Sequence, residues 1–361
     1  MKRVGVGIIG CGNVSSQYLS AVKYFPILDV RAIADIDPAK AKARSVEFGI
    51  PPVSINDVLK DQDIEIIINL TVPKAHAEVS LQAVRAGKHV HSEKPLATSV
   101  EEAMQLQAAA AEKGLRIGCA PDTFLGGSQQ TCRKLVDDGA IGRVIAGTAF
   151  FMCPGHEKWH PDPGFFYLRG GGPVFDMAPY YITSLVNLLG PVRRVAAITA
   201  RARDERVVQT GPLKDRKIPV EVATHASGTL EFVSGAIVTI VMSFDIAHHG
   251  HRYIELYGTS GSLSVPNPDE FGGPIEIAND DTGWKSVPTE RPFAVGNYRI
   301  LGAAEMAHAI RSNRPHRANG DLALHVLEVI QALQTSSDRA MHIEITSRPD
   351  RPSAMPSKPW D

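Results

Sequence analysis

The stretch VGVGIIGCGNVSSQY, residues 4–18, decides the fold. Its first half is an apolar run of the kind that forms a strand buried on both faces. Its second half has helical spacing. Between them lies Gly10-Cys11-Gly12-Asn13-Val14-Ser15, a GxGxxG loop with serine in the third glycine place. A strand that turns through glycines into a helix leaves backbone N–H groups at the helix start, where the dipole is positive. Gly10 permits the tight turn and Gly12 a close approach of an anion to the backbone. Ser15 is small enough for the helix to pack on the strand.

The alternation then repeats. VRAIADI (30–36) is a second strand, and PAKAKARSVEFG (38–49) is a helix opened by proline and closed by glycine. IEIIINLTVP, KHVHSEKP and LRIGCAP are further strands, separated by helical segments. Apolar strands alternating with helices predict an α/β, doubly wound parallel sheet, a Rossmann-type domain. The second strand ends in Asp35, 23 residues beyond Gly12. A dinucleotide-binding fold carries its ribose-binding acid at about that distance. A carboxylate there repels a 2′-phosphate, so NAD is the expected cofactor; Arg31 and Lys40 nearby still admit NADP.

HVHSEKPLATS (89–99) runs as a strand and delivers Glu93-Lys94-Pro95 to the carboxyl edge of that sheet, where ligands bind. A lysine in a partly desolvated cleft holds its proton less tightly and exchanges it near neutral pH. Oxidising an alcohol by hydride transfer requires such a group, because the hydroxyl proton leaves as the hydride does. Proline fixes the backbone, and a cis Lys94–Pro95 bond would turn the side chain inward. The bland alternative is a surface lysine paired with Glu93.

The pattern changes after about residue 120. A helix (127–139) and a strand (143–153) lead into a Pro/Gly/aromatic loop and a helical segment, VFDMAPYYITSLVNLLG. Long alternating strands follow, with turn pairs Ser234-Gly235 and Ser260-Gly261 between some of them, as in an antiparallel meander. Two helices and a proline-rich extended tail close the chain. The expected domains are 1–121, dinucleotide-binding, and 122–361, a C-terminal α+β domain on a largely antiparallel open sheet.

These motifs resemble the glucose–fructose oxidoreductase / inositol dehydrogenase (Gfo/Idh/MocA) family. GIIGCGNVSSQY, the Asp35 strand end, Thr71-Val72-Pro73 with His76, and Glu93-Lys94-Pro95 fall in the family's order and spacing. The resemblance spans nearly the whole chain, and the EKP element is its most specific part. It implies that Lys94 is the catalytic lysine beside the nicotinamide. It also implies cofactor contacts from Gly10, Gly12, Asn13, Val14, Asp35, Thr71, Pro73, His76, Glu93 and Lys94. GGGPVFDMAPYYITSL (170–185) resembles the family's second motif, an acid followed four positions later by a proton-transfer residue. On one helix Asp176 and Tyr180 would share a face toward the cleft between domains. The family most often has histidine where this chain has Tyr180. Tyrosine resembles the glucose–fructose oxidoreductase and dihydrodiol dehydrogenase branches, and a phenol beside an ammonium can relay its proton. The alternative is that Tyr180 and Tyr181 are core residues of a buried helix.

His156, Trp159, His160, Tyr167 and Arg169 crowd the preceding loop, and polar aromatics suit a sugar. They and Asp122, at the domain boundary, complete the expected substrate-binding set with Asp176 and Tyr180. Cys153, His156, Glu157 and His160 have metal-like spacing but sit in a Pro/Gly loop, and His248, His249 and His251 fall in a turn between strands. No metal is expected at either place.

Net charge is −1, which gives no basic field for nucleic acid or anionic membrane. The four cysteines form no CxxC pair and suit a reducing compartment. MKRVGVGIIGCG is broken by four glycines and does not read as a signal peptide; cytoplasm is the expected location. The expected activity is NAD(P)-dependent oxidation or reduction at a secondary alcohol or ketone of a sugar, glycoside or cyclitol, by a homodimer or homotetramer. Two alternatives keep the fold: transient oxidation serving elimination or glycoside cleavage, and a non-catalytic dinucleotide sensor.

Overall fold

The computed structural model describes residues 2–358 and Trp360. The chain divides into two compact units. The first comprises residues through 126, 292–327 and 355 onward; the second comprises 127–291 and 328–354. A linear division at residue 121 therefore assigns 122–126, 292–327 and the residues from 355 onward differently. Segment 292–327 joins the first unit through aromatic packing, with Phe293 5.7 Å from Phe25 and Tyr298 5.2 Å from Tyr24 between ring centroids. Of the tail read as extended, Pro359 and Asp361 lie outside the described residues.

In the first unit, β1 (Val4–Ile9), β2 (Leu28–Ala34), β3 (Ile66–Asn69), β4 (His89–Ser92) and β5 (Ile117–Cys119) pair in parallel in the order β2-β1-β3-β4-β5. Helices α1 (Asn13–Ala21), α2 (Pro38–Phe48), α3 (Ile55–Lys60), α4 (His76–Arg85) and α5 (Val100–Glu112) make the crossovers. Every residue of β1 and β3 is buried, so helices cover both faces, as the unbroken apolar runs require. A parallel bridge from Ile33 to Pro52 marks a vestigial strand outside β2. The start of α2 follows its sequence signals: Pro38 is its first residue, and Asp37 accepts a bond from Ala39 N at 3.0 Å. Strand order reverses at β1, whose carboxyl end is thereby the switch point at which such sheets bind ligands.

The second unit holds α6 (Gly127–Asp137), β6 (Val144–Met152), α7 (Gly172–Asp176), α8 (Ala178–Leu189), β7 (Val192–Ala200), β8 (Glu205–Val207), β9 (Lys217–Pro219), β10 (His225–Phe232), β11 (Ile237–Ser243), β12 (Ile254–Gly258), β13 (Ser262–Val265), β14 (Ile275–Ala278) and β15 (Lys285–Val287). Helix α9 (Leu301–Arg311) returns to the first unit, α10 (Gly320–Arg339) runs through the unit boundary, and β16 (Ile343–Glu344) closes the second sheet. Its order is β15-β14-β13-β12-β6-β11-β10-β7-β16; β6 and β11 pair in parallel and the other neighbours antiparallel. Strands β8 and β9 form a separate hairpin.

One face of the large sheet carries Ala226, Leu230, Val238, Ile240 and Met242, all buried. All twelve residues of α8 are buried, and the helix is correspondingly apolar around its circumference. The segment read as one helix is two. Pro179 has no N–H for the Phe175 carbonyl and its ring would clash there, so α7 stops at Asp176 and α8 restarts beyond Met177.

Candidate active site

The glycine loop is shaped by contact and by open space. Gly10 has φ +105°, and a Cβ there would stand 2.5 Å from the carbonyl carbon and oxygen of Leu70. A Cβ on Gly12 would meet nothing within 4 Å. Gly12 opens α1, whose start has no side-chain cap. An anion has room against those amides. Ser15 does more than fit the third glycine place. It is fully buried, donates to Gly12 O at 2.6 Å and accepts from Arg44 Nε at 2.9 Å. Arg44, on α2, also donates to Gly12 O at 3.2 Å.

Asp35 hooks the end of β2 to this loop. Its Oδ2 accepts from Cys11 N at 2.7 Å and its Oδ1 from Asp37 N at 2.8 Å. Each carboxylate oxygen can accept more than one bond, so capacity for ribose hydroxyls is retained. The open cradle and the acid fit NAD: the amides after Gly12 would hold the pyrophosphate and Asp35 the ribose. Arg31 is committed elsewhere, to Asp29 and Asp63 at 3.1 Å each, which removes one of the two cations that admitted NADP.

Strand β4 delivers Glu93, Lys94 and Pro95 to the same sheet edge, and the Lys94–Pro95 bond is cis. Glu93 is buried, with Oε1 accepting from Tyr18 OH at 2.7 Å and Oε2 from Lys94 N at 2.9 Å. Burial, then the charge of Glu93, pushes the Tyr18 phenol well above its ordinary range, so it stays a donor. Lys94 itself is partly exposed. His76 is buried between two loops. Its Nδ1 lies 2.6 Å from Pro95 O and its Nε2 3.0 Å from Thr71 O. Burial holds its pKa below the usual imidazole value against the pull of those carbonyls. Thr71 is tied by N and Oγ1 to Asn69 Oδ1, at 3.2 and 2.7 Å.

In the second unit, Asp176 Oδ2 lies 3.0 Å from His156 Nε2, and Trp159 Nε1 donates to His156 Nδ1 at 3.2 Å. The loop that carries them is fixed by buried charges. Arg206, in the middle of β8, pairs with Glu157 at 2.7 Å and with Asp245, and donates to Phe244 O at 3.1 Å. Glu157 also accepts from Tyr167 OH. Thr224 Oγ1 donates to Asp245 at 2.6 Å. Trp159 and Phe165 remain 60% and 54% exposed, which leaves ring faces open to a ligand. Tyr180 is buried within α8.

A model of an oxidoreductase family with an NAD-binding Rossmann fold matches residues 4–120, and a GFO/IDH/MocA C-terminal domain matches 129–264. Over 343 residues the chain is 32% identical to dTDP-3,4-didehydro-2,6-dideoxy-alpha-D-glucose 3-reductase of Actinomadura kijaniata, covering 92% of this chain and 96% of that one. The chain belongs to the Gfo/Idh/MocA oxidoreductase family. It is 27% identical to levoglucosan dehydrogenase of Pseudarthrobacter phenanthrenivorans over 335 residues, 83% of this chain and 84% of the relative. A solved structure titled levoglucosan dehydrogenase in complex with NADH and L-sorbose shares the fold, with TM-score 0.83 at 22% identity over 96% of this chain and 100% of that one.

Within this family frame three expected site residues have structural partners of their own. Asp122 is fully buried, and its Oδ2 accepts from Ile300 N at 3.1 Å and Gly302 N at 2.9 Å, so it caps α9. Those bonds hold Ile300 at φ +97°, a strained backbone for a β-branched residue. Tyr167 is fully buried with its hydroxyl committed to Glu157, and so braces the loop from inside. His76 lies buried between the Thr71 loop and the Pro95 turn, with one ring nitrogen near a carbonyl of each. His160 is half-buried, with Nδ1 accepting from Asp162 N at 3.1 Å, and Arg169 is exposed. Arg206, Asp245 and Arg44 were missed, because their partners are distant in sequence.

Three outcomes follow from this geometry. Asp35→Ser should weaken NAD binding by about 10–100-fold, the worth of a charged hydrogen bond, and raise the NADP:NAD affinity ratio. Calorimetric titration with each nucleotide checks it, and unchanged NAD affinity removes Asp35 from the ribose. Arg206→Ala strands buried carboxylates and should cost about 3–5 kcal/mol in urea denaturation. A loss below about 1 kcal/mol would make the cluster a surface-like ion pair.

The third concerns pH. Burial lifts the Asp122 carboxyl from 3.8 to about 6. Its proton is bound more tightly folded than unfolded, so it favours folding below the unfolded value and loses that contribution as pH rises through about 6. The native chain should therefore gain stability relative to Asp122→Asn between about pH 7 and about pH 4. A pH-independent difference between the two proteins would contradict this.

Proposed function

We propose that this protein is an NAD-dependent dehydrogenase or reductase acting on a secondary alcohol or ketone of a sugar, glycoside or cyclitol, with NADP the poorer cofactor. The observation that carries the reading is the Glu93-Lys94-Pro95 turn, at the carboxyl edge of the same sheet whose glycine loop and Asp35 fit NAD. Relatives named levoglucosan dehydrogenase, D-xylose dehydrogenase and 1,5-anhydro-D-fructose reductase support a carbohydrate substrate. NAD, when bound, supplies or takes up the hydride.

The residues of the chain handle the rest. Lys94 takes the hydroxyl proton in the oxidising direction and returns it in the other. The bond from Lys94 N to Glu93, itself held by Tyr18, keeps the turn in register. Tyr180 serves as the proton relay and Asp176 orients a substrate hydroxyl. Asn13, Val14, Thr71 and Pro73 line the cofactor. Trp159 offers a ring face to the sugar, and His160 and Arg169 offer polar groups near it.

The open face of the large sheet supports a homo-oligomer. Ile198, Ser227, Val241 and Phe150 form one cross-strand row on the side opposite the buried core residues. Ile198 is 75% exposed, and a second copy is the natural cover for such a face. The cysteines are free thiols, which supports a reducing, cytoplasmic setting. Among the described residues no helix is long and apolar enough to cross a membrane.

The test is NADH formation across a panel of sugars, glycosides and polyols. Lys94→Ala should lower kcat by about 10²–10⁴-fold while NAD still binds by calorimetry. The double variant with Tyr180→Phe should lose less than the product of the single losses, because the two residues act on one proton. Native protein that binds NAD and turns over no member of the panel would overturn the dehydrogenase reading. Release of an aglycone without net NADH would replace it with transient oxidation.

A further inference from the structure

We propose that His156 is a positioning residue for Asp176, held as the neutral Nε2–H tautomer by the indole of Trp159. The functional half of this proposal rests on the role given to Asp176 above. The structural half does not.

The assignment follows from donor chemistry. An indole nitrogen only donates, so the 3.2 Å contact from Trp159 Nε1 requires a bare, accepting Nδ1 on His156. A neutral imidazole then carries its hydrogen on Nε2, which donates to Asp176 Oδ2 at 3.0 Å. The carboxylate thus accepts a hydrogen bond from an uncharged donor. One side chain fixes the proton, a second passes the orientation on, and a third is oriented.

The imidazole has little room to turn. It is 7% exposed and lies between aromatic rings, with Phe166 at 4.3 Å and Phe244 at 4.4 Å between centroids. Its own backbone N donates to Tyr167 OH at 3.1 Å. Tyr167 in turn donates to Glu157, which Arg206 holds. The buried charges therefore set the ring from below, and Trp159 sets its tautomer from above. Trp159 is the exposed member of the chain, so the ring open to a sugar also controls how Asp176 is presented. A sugar that stacks on that indole meets an acid already aimed.

The experiment uses the full chain labelled with ¹⁵N-histidine. Long-range ¹H–¹⁵N spectra of the rings, with His156→Gln to assign the signal, should show His156 with a bare Nδ1 and a protonated Nε2. Trp159→Phe keeps an aromatic face but removes the N–H. It should move the His156 signal toward a mixture of tautomers and lower kcat by about 10-fold or more, because a misaimed group costs that much, with a smaller change in KM. Trp159→Ala should also raise KM for the sugar. A protonated Nδ1 in the native chain, or a Trp159→Phe protein with unchanged ring signals, would overturn the tautomer assignment. Shifted ring signals with unchanged kcat would overturn the positioning role. The ring spectra need no turnover, so they report on this proposal even if no carbohydrate proves to be a substrate.

Discussion

Parallel pairing of all five strands in the first unit fixes where its chemistry lies. Strands that run one way deliver their last residues to one edge. The residues just beyond those ends are Gly10, Asp35, Thr71, Lys94 and Asp122. Four of them belong to the proposed cofactor site because the sheet gives them no other place to be. The fifth, Asp122, shows that the edge is a location and not a role. Segment 292–300 returns to this edge and claims Asp122 as the cap for α9.

Legibility followed the range of the interaction that shapes each feature. The parallel sheet, the glycine loop and the Asp35 strand end were readable because hydrophobic period and glycine spacing act within a few residues of themselves. The family resemblance then gave the EKP turn its meaning. The return of 292–327 to the first unit was not readable, since it depends on Phe293 and Tyr298 meeting α1 and its neighbours across nearly the whole chain. The same holds for Arg206, whose partners Glu157 and Asp245 lie 49 and 39 residues away. Nothing near any of the three marks them as one cluster. The break between α7 and α8 is a different case: Pro179 stood in the sequence, but the apolar pattern ran past it and favoured a single helix.

Buried charges of the Glu157–Arg206–Asp245 kind seldom stabilise a fold more than apolar packing would. Their use here is geometric. The segment from Cys153 to Gly171 has only short turns of helix and no strand of its own. A long loop of that kind has many conformations of similar energy. Apolar contacts alone, being non-directional, would restrict it only loosely. Directional bonds from one guanidinium to two carboxylates and two carbonyls exclude the alternatives, and the ring of Tyr167 lies 5.3 Å from that guanidinium.

Each unit holds irregular backbone in place, and they do so by different means. In the first, the loops are short and grow directly from strand ends, so a single side chain can bridge two of them. His76 sits between a carbonyl of the Thr71 loop and one of the Pro95 turn, and Asp35 joins the glycine loop to the end of β2 through two amides. Strands supply the stiffness and the side chain only sets the register. In the second unit the residues after β11 bring Phe244 and Asp245 to the loop, and the hairpin of β8 and β9 brings Arg206, while Gln209 N adds a backbone bond to Glu157 O at 2.8 Å. The hairpin lies outside the large sheet, and its position is intelligible as a brace. Without it, Glu157 and Tyr167 would lose the buried cation that faces them both, and the loop that carries His156 would be held less firmly.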